Sequence, residues 1–171
     1  MKKDKIIIYV SLFLIVSAIL VCILLPKNKY EAVLHEIGGN GITSYVLSEE
    51  EIHEEYYDKV IYYAFSGIDE AEIYNMRYRN PRWRDLTETD SINCVLYGGM
   101  LGDCERQSIV HNCIPNVSSG FYYFHDKQNR KNNYFQEDII SLYEEYSHRI
   151  TIAVWDSENK KLYYVKVNFQ R

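Results

Sequence analysis

His148 to Phe169 reads HRITIAVWD, SENK, KLYYVKVNF: two runs rich in β-branched and aromatic residues, separated by four polar ones. Ile150, Ile152 and Val154 alternate with Thr151, Ala153 and Trp155, the period of two expected when successive side chains leave opposite faces of a strand. The polar tetrapeptide between the runs is long enough only for a tight connection. The reading is a β-hairpin, and neighbouring strands joined this closely must run antiparallel.

Moving toward the N-terminus, Phe121 to Phe124 continues the series as a strand after the Ser118-Ser119-Gly120 break, and residues 126–133 are polar enough for a loop. Glu137 to Tyr146 reads as a short helix, with Ile139, Ile140, Leu142, Tyr143 and Tyr146 on its apolar side. Gln107 to Ile114 is expected to be a strand presenting Ile109, His111 and Cys113 on one face. Ile92 to Tyr97 is expected to be a buried strand ended by Gly98-Gly99. Ile42 to Leu47 is expected to be a further short strand. The longest helix is expected over Glu49 to Phe65. Ser48 and Glu51 have the spacing of a capping box, Ile52, Tyr56, Val60 and Tyr63 recur at helical intervals, and Gly67 follows as a stop. Four or five strands close in sequence and about two helices predict an α+β domain with a mostly antiparallel sheet.

Ahead of this domain lies Ile6 to Leu25, IIIYVSLFLIVSAILVCILL, with no charged residue. Twenty residues at about 1.5 Å each make a helix of roughly 30 Å, the thickness of a bilayer's hydrocarbon core. Lys2, Lys3 and Lys5 outnumber Lys27 and Lys29, which places residues 1–5 in the cytoplasm by the positive-inside rule. The apolar run is longer than a cleavable signal core and ends in Leu24-Leu25-Pro26. Residues 6–25 are therefore expected to be an uncleaved single-pass signal anchor, with 26–171 as one extracytoplasmic domain. Cys22 follows Val21, where a lipid-modified cysteine follows a small residue, so it reads as a small hydrophobe of the helix.

Of the chain's 19 basic and 24 acidic side chains, Lys2, Lys3, Lys5 and Asp4 precede residue 26, leaving 16 and 23 in the domain, a formal charge of −7. Phosphate-backbone recognition depends on clustered Lys and Arg over a surface, so this balance argues against nucleic acid as a partner. Tyrosine is frequent, at 17 residues. Its amphipathic ring suits a glycan- or partner-binding surface. Tyr, Ile, Asn and Lys also share AT-rich codons, which points to a low-GC bacterial source as the plainer explanation.

Chemistry-bearing residues are sparse. Glu50, Glu51, Glu54, Glu55 and Asp58 read as the solvated face of the predicted helix rather than as catalytic carboxylates. Arg77, Arg79, Arg82 and Arg84 crowd into MRYRNPRWRD with Trp83. Guanidinium groups stack on aromatic rings and grip carboxylates or phosphates, so the cluster is a candidate anion- or partner-binding patch; the competing reading pairs the arginines with acidic residues upstream. Beyond the anchor, Cys94, Cys104 and Cys113 allow one disulfide. Cys104 with Cys113 closes a short loop, and Cys94 with either remains open. Cys104, His111, Cys113 and His125 could alternatively ligate zinc, though without a tight Cys-x-x-Cys knuckle.

No nucleophile elbow, phosphate-binding glycine loop or His-Glu-x-x-His occurs, and no cofactor is implied. The expectation is a membrane-tethered, non-enzymatic module that binds a protein or an anionic envelope polymer. The alternative is a small envelope thiol or metal-dependent enzyme using Cys104, His111 and Cys113.

Overall fold

The computed structural model describes residues 29–55, 58–86, 90–110, 113–127 and 147–170, together with Phe13 and Ser17. The chain divides into two compact units, Met1–Glu36 and Ile37–Arg171. In the first, helix α1 spans Lys29–Glu36 and the Lys29 ammonium sits 4.7 Å from the Tyr30 ring centroid. The predicted anchor at 6–25 falls, apart from Phe13 and Ser17, outside the described residues. Among the described residues no helix is long and apolar enough to cross a membrane.

The second unit is an α+β domain built on the C-terminal hairpin. β7 (Ser147–Asp156) and β8 (Lys161–Gln170) pair antiparallel over their whole length, from Ser147 opposite Gln170 to Asp156 opposite Lys161. Asp156 shapes the connection: its carboxylate accepts from Glu158 N at 2.9 Å, Asn159 N at 3.0 Å and Asn159 Nδ2 at 2.7 Å. This lets Lys160 take a left-handed φ of 53°. Around the hairpin the order is β1-β2-β8-β7-β6-β3, with β1 at Val46–Glu55, β2 at Asp58–Ser66, β3 at Trp83–Asp85 and β6 at Gly120–Asp126. Every pairing in the sheet is antiparallel.

Because β7 and β8 lie inside the sheet, both their faces are covered. Ile150, Ile152 and Val154 join Val165, Val167, Val60, Tyr122 and Phe124 in the main core. That face is closed by helix α3 (Asp90–Tyr97), through Ile92, Val95 and Leu96, and by Ile109, Val110, Ile114 and Val117 of the following chain. On the other face Trp155, Tyr164, Tyr123 and Phe65 are buried. Helix α2 (Glu70–Arg79) brings Tyr74 to 5.4 Å from the Phe121 ring and the Arg77 guanidinium to 4.1 Å. Asp69 caps α2, accepting from Ala71 N at 2.9 Å. A small ribbon, β4 (Gly99–Leu101) with β5 (Cys104–Arg106), follows α3.

Four sequence expectations change, the first being the short strand at Ile42–Leu47, of which only Val46 and Leu47 belong to a strand, as the start of β1. Glu49–Phe65 is a hairpin of β1 and β2 rather than a helix. Ser48 does not cap: it sits at a bulge, its hydroxyl donating to Ala64 O at 3.0 Å. Val60, Tyr62 and Ala64 enter one core while Phe65 and Tyr63 are buried on the opposite face, so the run is apolar on two sides of a strand, which a one-sided helix cannot satisfy. Ile92–Tyr97 is helical rather than extended; six residues, apolar but for Asn93, are too short a run for a period to separate the two forms. Gln107–Ile114 has no strand among its described residues, its apolar side chains capping the core from turns. The strand at 121–124 and the C-terminal hairpin are as expected, while the helix predicted at 137–146 lies outside the described residues.

Gly120 opens β6 at φ 148°, and a Cβ there would come within 1.8 Å of Trp155 O. Gly99 has φ 121° with nothing within 4 Å of the same position. Gly120→Ala therefore combines backbone strain with a clash against the central hairpin and should lower unfolding free energy by about 2–4 kcal/mol, against roughly 1 for Gly99→Ala. Urea titration of both variants checks this. Equal losses would show that Trp155 O does not crowd Gly120.

Candidate functional site

The core face of the sheet is left open toward β1, where the C-terminal hairpin turn and the 113–117 segment leave a cleft of about 560 Å³. Glu49 of β1, Tyr62 of β2, Tyr163 and Lys161 of β8, Asp156 of β7 and Cys113 line it. Tyr62 and Tyr163 are diagonal neighbours across β2 and β8, stacked with centroids 6.4 Å apart and planes 18° from parallel. Both rings are buried, so what the cleft presents is their hydroxyl ends.

Glu49 of β1 ties together groups from β2 and β8. Tyr62 Oη donates to Glu49 Oε2 at 3.0 Å, and Lys161 Nζ stands 3.8 Å from Glu49 Oε1. Burial, reinforced by the hydrogen bond to Glu49 and by its charge, holds the Tyr62 phenol well above its ordinary pKa. Burial likewise raises Tyr163, with Asp156 and Glu49 adding to it. Tyr97 fixes the wall: its hydroxyl donates to Pro115 O at 3.1 Å and accepts from Val117 N at 3.1 Å. Cys113 N donates to Val110 O at 3.0 Å, and burial followed by the Glu51 carboxylate pushes the Cys113 thiol up. A neutral thiol is a poor nucleophile.

The residues singled out from sequence are dispersed. Arg77 Nη2 binds Asp85 Oδ2 at 2.7 Å, so its carboxylate lies on β3, downstream of the cluster rather than upstream. Trp83 is 5% exposed and donates from Nε1 to Ile37 O at 2.9 Å, which makes it a core residue with no face open for stacking. Arg79 and Arg84 are exposed and Arg82 is half-buried, its backbone N–H donating to Asn80 Oδ1 at 3.1 Å. Cys104 is an exposed free thiol on β5, and Cys113 a free thiol in the cleft wall. Cys94 is buried on α3, its Sγ donating to Gly99 O at 3.6 Å. His125 stacks edge-on against Tyr123 at 6.4 Å. His111 lies outside the described residues, among which no group of three potential metal ligands is found.

Sequence reasoning missed the cleft because its walls come from four separated segments. The one available signal was the Asp-x-x-Asn of residues 156–159, which marks a structured turn at the end of a strand. No protein-family model, curated protein or solved structure matches the chain.

Site-resolved alkylation with iodoacetamide tests the state of the thiol. The Cys113 rate should rise only toward alkaline pH, with a midpoint above its ordinary 9.0. A midpoint below neutrality would reveal an activated thiolate and favour thiol chemistry at the cleft.

Proposed function

We propose that residues 26–171 act as a non-catalytic binding module, tethered at the outer face of the cytoplasmic membrane by residues 6–25, whose cleft takes a hydroxyl-rich ligand: a saccharide segment of an envelope polymer. The observation that carries this is the cleft's mixture of partners. A carboxylate (Glu49), an ammonium (Lys161), two amides (Asn116 and Asn159) and tyrosine hydroxyls converge around about 560 Å³. A sugar hydroxyl both donates and accepts, and such a lining offers both within one ligand's reach. Two groups that could act chemically are held back: Asp156 is occupied by the hairpin turn, and burial keeps Cys113 as a thiol.

A protein partner is the second reading, and β1 supports it. It is a ten-residue edge strand with Val46 61% and Ile52 51% exposed, a geometry suited to strand addition by an extended peptide. The thiol- or metal-enzyme alternative draws less support, since the exposed Cys104 lies on the β4–β5 ribbon and the Cys113 thiol is shifted away from its reactive form.

Calorimetric titration with N-acetylglucosamine oligomers tests the saccharide reading. Binding is expected, with Glu49→Gln and Asn116→Ala each weakening it about fivefold to tenfold, the loss of one good hydrogen bond. Binding that both variants leave unchanged would place the saccharide elsewhere, and capture of an extended peptide on β1 without saccharide binding would favour the protein reading.

A further inference from the structure

The opposite face of the same sheet carries an ordered row of cations. Lys59 of β2 is directly opposite Asn168 of β8, and Asn168 is directly opposite Arg149 of β7. Lys127 continues the row past the end of β6, its backbone N–H donating to Arg149 O at 2.8 Å. In the adjacent row Lys166 faces Thr151. Side chains two residues apart on a strand, or opposite on neighbouring strands, leave the same face, so these groups converge. They line a groove of about 300 Å³ with no carboxylate among its described lining residues.

In a domain of charge −7 this is a local reversal of sign. Glu54 of β1 holds the Lys59 ammonium from the rim, and Lys127, Arg149 and Lys166 complete the basic lining. Between Lys59 and Arg149, the Asn168 carbonyl oxygen Oδ1 is buried with no hydrogen-bond partner among the described residues. A buried orphan acceptor marks a place where a donor belongs. A ligand suited to the groove therefore brings negative charge for the cations and, beside it, a hydroxyl for Asn168.

We propose that this groove binds a phosphate ester of a polyol. Arg149 offers the phosphate a two-pronged guanidinium contact, Lys59, Lys127 and Lys166 supply charge around it, and Asn168 Oδ1 accepts from a neighbouring hydroxyl of the polyol. The groove takes the anionic recognition that the sequence had suggested for the Arg77 to Arg84 cluster, and it stands independently of the cleft on the other face.

The test is titration of the full-length chain, in nonionic detergent, with glycerol 1-phosphate, inorganic phosphate and glycerol. Glycerol 1-phosphate should bind at least about fivefold more tightly than phosphate, glycerol should not bind measurably, and the affinity should fall with added salt. Lys59→Gln with Arg149→Gln should raise Kd by about tenfold or more, and Lys166→Gln alone by a smaller factor. Asn168→Leu should abolish the preference for the ester while leaving phosphate binding in place. No binding of the ester, equal binding by wild type and the Lys59/Arg149 variant, or no preference for the ester over phosphate would overturn the proposal. So would affinity for micelles carrying phosphatidylglycerol with none for the soluble ester, which would assign the groove to a lipid headgroup.

Discussion

The structure depends on burial of the β7–β8 pair from both sides. Ile150, Ile152 and Val154 below and Thr151, Ala153 and Trp155 above are each at most 1% exposed, as are Tyr164 and Val165 across the pairing. A hairpin alone is marginal in water, and only coverage of both faces supplies enough apolar area to fix ten paired residues on each strand. That requirement recruits the rest. β2 pairs with β8, β6 pairs with β7, and each face then needs a helix, α3 on one side and α2 on the other.

The same arrangement determines where binding surfaces can lie. The two edges of the sheet are β3, three residues long, and β1, ten residues long. Long edges invite unwanted pairing, and β1 answers with charge: Glu49, Glu50, Glu51 and Glu54 interrupt its apolar residues. Two of them are tied locally, Glu51 to His53 at 3.1 Å and Glu54 to Lys59. Glu49 instead turns toward Tyr62 and Lys161 and becomes a wall of the cleft. Edge protection and site construction thus draw on one run of acidic residues. On the other face α2 covers the rows around Phe121, while the rows through Asn168 and Lys166 carry the cations of the groove.

How much of this was legible follows from how each signal arises. The C-terminal hairpin was readable because β-branched alternation and a polar turn agree, and the α+β class followed from it. The β1–β2 hairpin was not. A serine and a glutamate three apart, followed by apolar residues at intervals of four, satisfy a helix template locally, and only the pairing of β2 with β8 decides against it. Helix α2 had a readable start, Asp69 with Glu72 three residues later, but with only Ile73 and Met76 buried it carries no apolar stripe to extend that signal. Helix α3 opens on Asp90 and Ser91, but the six residues that follow are too few to show a period. Cleft and groove were beyond reach for a different reason: Glu49, Tyr62 and Asp156, or Lys59, Arg149 and Asn168, meet only through register, and a slip of one residue would send each to the opposite face.

Native-state hydrogen exchange is the most direct test of the claim that the doubly buried hairpin organises the domain. Amides in β7 and β8 pointing to their partners should exchange last, at rates set by global unfolding, with β2 and β6 next and the β1 edge first. Protection concentrated in α2 or α3, with β7 and β8 exchanging as fast as β1, would contradict it.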